Sequence, residues 1–187
     1  MKKLFFVITM AGMFAACDNA ANNNDNDSKD SATEQNEVAL DNTAMEDDSD
    51  FAVDAALGGL MEVKFGELAK TNASSQAVKD FGAMMVTDHT KANEELKALA
   101  QKKNITLPQA LDDDKQRKYD EFAKKKGAEF DRDYMALMVE DHKEDIEDFK
   151  DQAQKGKDAD LKAFAAGKIP VLEHHLAEAE KVKAALK

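Results

Sequence analysis

Four stretches, each of roughly twenty residues or more, carry apolar side chains at three- to five-residue steps, and this rhythm confines the chain to a set of packed helices. The first runs from Phe51 to about Thr71 through Ala55, Leu60, Met61, Phe65 and Leu68, with Ser49 or Asp50 placed to cap it. The second starts at Ser74 or Ser75 and ends near Asn104, with Val78, Phe81, Met85, His89, Ala92, Leu96 and Leu99 on one face. The third spans about Ala128 to Lys155 through Phe130, Tyr134, Met138, His142, Ile146 and Phe149, and Gly156 ends it. The fourth follows Asp158 or Asp160, with Leu161, Phe164, Ile169, Leu172, His175, Leu176, Ala179, Val182 and Leu186. Pro170 lies inside it and is expected to kink or restart it.

Composition agrees with helices. The chain has no Trp, two Pro and eight Gly, and is rich in Ala, Lys, Glu, Leu and Met. Between the second and third long stretches, Ile105-Thr106-Leu107-Pro108 is a break, and a charged, weaker helix is predicted over 112–126. The fold class predicted is all-α: a four-helix bundle over 51–187 whose long 2–3 connection crosses it and contains a short extra helix, as in ferritin-like folds.

The first seventeen residues have another purpose. Lys2 and Lys3 precede an apolar run from Leu4 to Phe14, followed by Ala15, Ala16 and Cys17. This is a secretory signal over 1–16, too short to remain as a spanning helix. Phe14-Ala15-Ala16-Cys17 resembles the lipobox of bacterial lipoproteins, differing at Phe14, where Leu is usual. The resemblance implies lipidation of Cys17, membrane attachment through its acyl chains, and a location in the cell envelope, facing the periplasm or at the outer membrane. Cys17 is the single cysteine, so internal disulfides and Cys-based metal sites are excluded.

Residues 17–50 then read as a disordered acidic tether. The net charge of −12 is concentrated there: 18–50 holds eleven acids against one Lys, while the rest of the chain is nearly balanced. No basic patch with interleaved aromatics is present, which argues against nucleic acid as a partner.

An internal repeat singles out the histidines. Residues 80–96 and 133–149 align without gaps, pairing Asp80 with Asp133, Ala83 with Ala136, Met85 with Met138, Val86 with Val139, Asp88 with Asp141, His89 with His142 and Glu94 with Glu147. Two copies of Met-Val-x-Asp-His imply two hairpins related by a pseudo-two-fold axis, with His89 and His142 at similar depths on facing helices. His175 shares an inward face with Leu172 and Ala179, and His174 sits at its flank. Gly58 and Gly59 leave room for a neighbouring helix, and Glu62 follows Met61.

The run from Phe51 to Leu186 resembles the bacterial ferritin-like family known as domain of unknown function 4142. Gly-Gly-Leu-Met-Glu-Val at 58–63, the stretch 78–93 with its Asp-His, Phe-Asp-Arg-Asp-Tyr-Met at 130–135 and Leu-Lys-Ala-Phe-Ala at 161–165 carry the resemblance. It implies an exported protein with a ferritin-like bundle, and no particular reaction. The chain lacks the Glu-x-x-His of di-iron proteins, which counts against oxidase or iron-storage chemistry.

Two readings follow. His89, His142 and His175, with Met85, Met138 and Met61, form a nitrogen–sulfur set suited to copper or zinc, with Asp88, Asp141, Glu62 and His174 behind them. Alternatively these residues fill the core, and the protein is a structural or stress-related envelope component that uses its helical surface for protein partners of unidentified kind. No Ser/His/Asp arrangement, phosphate loop or HExxH motif points to an enzyme.

Overall fold

The computed structural model describes residues 28–40 and 45–186, so the signal segment and Cys17 lie outside the described residues. Six helices follow in order: α1 (Ser28–Leu40), α2 (Glu46–Asn72), α3 (Gln76–Lys103), α4 (Asp113–Lys124), α5 (Gly127–Lys155) and α6 (Ala159–Ala185). None of them is long and apolar enough to cross a membrane.

The four long helices pack as two hairpins. Glu62 meets His89 and Gly66 meets Gly82, so α2 is antiparallel to α3. Lys150 meets Glu173 and His142 meets His175, so α5 is antiparallel to α6. Across the hairpins, Phe51 stacks edge-on against Phe149, pairing α2 with α5, and Lys103 binds Asp158, pairing α3 with α6. Each of these pairs is also antiparallel, so α3 and α5 run the same way and the connection between them must return along the bundle. α4 is that connection's helix, and its Tyr119 and Phe122 cover Phe65 of α2.

The termini of the helices explain their positions. Asp112 caps α4 by accepting from the Lys115 amide, and Asp158 caps α6 by accepting from the amides of Asp160 and Leu161. α2 begins at Glu46 rather than near Phe51, and its first turn holds Glu46, Asp47 and Asp48, which suit the positive end of a helix. Asp48 is fully buried and accepts from Gln152 and from the amides of Lys157 and Asp158, which fastens the α5–α6 turn to α2. Pro170 does not end α6. Its own position and Ala166, whose carbonyl loses its partner, are both exposed, so the missing amide falls on the solvent side of the helix.

The disordered tether expected over 17–50 does not hold for residues 28–40 or for those from Glu46 on, which are helical. Residues 28–40 form α1, which buries Ala32, Asn36 and Leu40. These three recur every four residues and so share one helical face, a stripe too small to register against the surrounding acids. Asn36 accepts from the Thr106 amide at 2.7 Å and donates to the Thr106 carbonyl at 3.0 Å, while Lys29 pairs with Asp54 at 2.6 Å. One amide side chain thereby satisfies both backbone groups of a loop residue in the α3–α4 connection.

Backbone-to-backbone close approach of α2 and α3 occurs at Gly66 and Gly82, whereas Gly59 makes room for a side chain of α3. A Cβ on Gly66 would lie 2.7 Å from the Gly82 carbonyl oxygen, and one on Gly82 would lie 2.6 Å from the Ala69 Cβ. Gly59 instead faces the Asn93 side chain.

Candidate metal centre

One polar side chain from each long helix enters the middle of the bundle: Glu62 from α2, His89 from α3, His142 from α5 and His175 from α6. All four are buried; His142 and His175 are completely so. The three imidazole centroids form a near-equilateral triangle, with sides of 5.7, 5.2 and 5.3 Å. One ring nitrogen from each lies within 4.8 Å of one from each of the others.

Outer partners fix the tautomers. His142 Nδ1 lies 2.9 Å from the Met138 carbonyl oxygen, which can only accept, so Nδ1 carries the proton and Nε2 is a bare lone pair. His175 Nε2 lies 2.9 Å from a carboxylate oxygen of Asp88, so it donates there and Nδ1 is bare. These two bare nitrogens face each other at 3.3 Å. Glu62 spans the remaining side: one oxygen is 2.5 Å from His89 Nδ1 and the other 3.4 Å from His142 Nε2. With Nδ1 engaged by Glu62, His89 Nε2 is left without a partner, as is the second Glu62 oxygen.

Burial sets the charges. It lowers His89 and His175 to about 4 and His142 to about 3, so all three rings are neutral at neutral pH. Burial, reinforced by the nearby Asp141, pushes Glu62 well above the ordinary carboxylate range. Asp141 itself is raised to about 6 by burial. Neutral imidazoles are the form that ligates a metal, and His142 and His175 each have their second nitrogen anchored by a carbonyl or a carboxylate, the arrangement that orients metal-binding histidines.

The other residues singled out from the sequence are distributed as follows. Asp88 reaches from α3 to His175 on α6, whereas Asp141 joins Glu62 and His142 in a second close group of ligand atoms. His174 is exposed. Met61, Met85 and Met138 are buried in the apolar cluster with Phe65, Phe81 and Tyr134, and none of them lines the cavity beside the imidazoles. Two participants escaped sequence reasoning. The Met138 carbonyl is one, because backbone roles leave no sequence signal. Asp145 is the other: it lies one turn beyond Asp141 and lines the imidazole cavity.

The cavity holds about 170 Å³ and is walled by Glu62, His89 and His175 on one side and by Leu96, Phe149 and Leu172 on another. A family model described as a domain of unknown function, DUF4142, matches residues 32–182, which takes in most of α1 and almost all of α6. The chain belongs to the DUF4142 family. No curated protein matches it. The DUF4142 fold is similar to the crystal structure of a "putative secreted protein DUF305" from Streptomyces coelicolor, with a TM-score of 0.61 over 73% of this chain and 92% of that one. At 13% identity this likeness speaks for the fold alone.

Proposed function

We propose that this DUF4142 protein is a cell-envelope lipoprotein whose ferritin-like bundle binds one zinc(II) or copper(II) ion on His89, His142 and His175, with Glu62 as a further ligand. The observation that carries the reading is the 3.3 Å approach of His142 Nε2 to His175 Nδ1, both with their lone pairs free. Two lone pairs so placed repel unless a proton or a cation lies between them, and rings lowered to about 3 and 4 hold no such proton at neutral pH. Two nitrogens bound tetrahedrally at zinc distances stand about 3.3 to 3.4 Å apart. A nitrogen–oxygen donor set without thioether favours the divalent ions over copper(I).

The ferritin-like assignment is supported by the order of the helices, with α3 and α5 parallel and joined by a crossing connection. Lipid anchoring is supported by Ala15-Ala16-Cys17 after the apolar run. The function proposed is binding and handling of the ion in the envelope.

Titration calorimetry with zinc(II) and with copper(II) tests this reading. Binding of one ion, lost in His142→Ala and His175→Ala, is expected. A protein that takes up neither ion, with no shift in melting, would instead favour a structural component acting through its surface.

A further inference from the structure

The imidazole cavity opens on one side and adjoins a second hollow on another, and the charges of the two sides differ. Its own rim carries Lys91 and Lys168 beside Asp88 and the exposed Val171, with Lys168 held over the Phe164 ring and paired to Glu95, so the charges on this side nearly balance. Its other side is shared with a second, larger hollow of about 480 Å³, the two having Ala55, Asp145 and Phe149 as common walls. That outer basin is rimmed by Asp47, Asp54, Asp148 and Asp151, against Lys155 and Lys157. Lys155 is already engaged by Asp151. The charged neighbours that act on Asp148 are Asp54, Glu144, Asp151 and Glu147, all acids.

Asp145 stands between the two spaces. Its Oδ1 would lie 3.9 Å from a Cβ on Gly58, which is one helical turn from Glu62. At the inner end of this path are two polar atoms without partners on side chains more than nine-tenths buried, Glu62 Oε1 and His89 Nε2. Acids thus line the outer hollow as far as the half-buried Asp145, which also walls the cavity that holds the two atoms without partners.

We propose that divalent cations reach the imidazoles through this acidic basin, with Asp145 as the transfer ligand between basin and centre, and not through the opening beside Lys168. The inference rests on the metal-binding reading above. A cleft lined by one sign of charge raises the local concentration of the opposite ion and accelerates its association by about ten- to a thousandfold, an effect that salt screens. The opening beside Lys168 offers a cation no such gain. An ion passed through Asp145 enters and leaves by the same route, so changing the route alters both rates together and leaves the equilibrium nearly untouched.

Stopped-flow uptake of zinc(II) by the full chain, at low and at high salt, is the test. The wild-type rate is expected to fall with salt. Asp148→Asn/Asp151→Asn and Asp145→Asn are expected to slow uptake by about tenfold at low salt and to flatten the salt dependence. Release from Asp145→Asn should slow in proportion, so that affinity changes less than about twofold, while Lys168→Gln takes up zinc at the wild-type rate. Wild-type rates in both aspartate variants, a salt-independent wild-type rate, or slowing confined to Lys168→Gln would overturn the route while leaving the centre intact. Failure of the wild-type protein to bind zinc at all would overturn the centre and the route together.

Discussion

Glu62→Gln separates ligation from packing. Gln has the same size and can still accept from His89 Nδ1, now 2.5 Å from a Glu62 oxygen, but it brings neither a negative charge nor a titrating proton. In the ion-free protein Glu62 carries its proton well above the usual carboxylate range, because burial and Asp141 disfavour its charged form. An ion that takes this carboxylate as a ligand must displace that proton, so about one proton leaves per ion bound. Below the pKa of Glu62 the affinity then rises about tenfold per pH unit. The histidines add little to this slope above about pH 4, because that is where His89 and His175 titrate, with His142 lower still at about 3. In Glu62→Gln the proton released by Glu62 is lost and the slope should become shallower, leaving what Asp141, raised to about 6, contributes, and affinity at neutral pH should fall about 10- to 100-fold, or about 1.4 to 2.8 kcal/mol. Stability without metal changes by no more than the single hydrogen bond at stake, about 1 kcal/mol, or about 2 to 4 °C in melting temperature for a domain this size. Calorimetry in two buffers of different ionisation enthalpy reads proton release and affinity at once. Equal proton release and equal affinity in wild type and variant would refute the assignment of Glu62.

Three further outcomes are expected. Gly82→Ala places a Cβ 2.9 Å from the Gly66 carbonyl oxygen, and overpacking of about 1 to 3 kcal/mol should exceed the helix propensity gain of about 1 kcal/mol, lowering stability in urea unfolding. Asp48→Ala strips Gln152, Lys157 and Asp158 of their common acceptor and should cost about 3 kcal/mol or more, read as a lower denaturation midpoint without loss of metal stoichiometry. His142 is lowered to about 3 from 6.5, so below pH 6.5 the unfolded chain takes up a proton that the folded chain refuses. Its contribution is therefore complete above pH 6.5 and lost as pH falls toward 3, and metal-free wild type should lose stability relative to His142→Gln between pH 7 and pH 4.5 in urea melts.

Much of this arrangement was legible in the sequence, for physical reasons that vary by residue. His89 and His142 stand out because one five-residue signature occurs twice on in-phase stripes, and helix pairing then brings both to one level. His175 needed only its place between Leu172 and Ala179. Met85 and Met138 share a face with the histidines four residues later, but four residues are about 6 Å along the axis, and helical side chains lean toward the N-terminus. Both residues are buried in the apolar cluster and neither lines the imidazole cavity. Asp88 and Asp141 occupy equivalent repeat positions yet differ in role, because α3 faces α6 and Asp88 finds His175, whereas Asp141 meets Glu62 of α2. α1 was missed because three small or polar residues decide its burial, a stripe that composition cannot resolve among so many acids.

X-ray absorption at the metal edge of the zinc-loaded protein reads directly whether three imidazoles and one carboxylate hold the ion. Four nitrogen or oxygen neighbours at about 2.0 to 2.1 Å, with the outer-shell scattering of imidazole rings, are predicted. A sulfur shell near about 2.3 Å, or six oxygens without imidazole scattering, would contradict it.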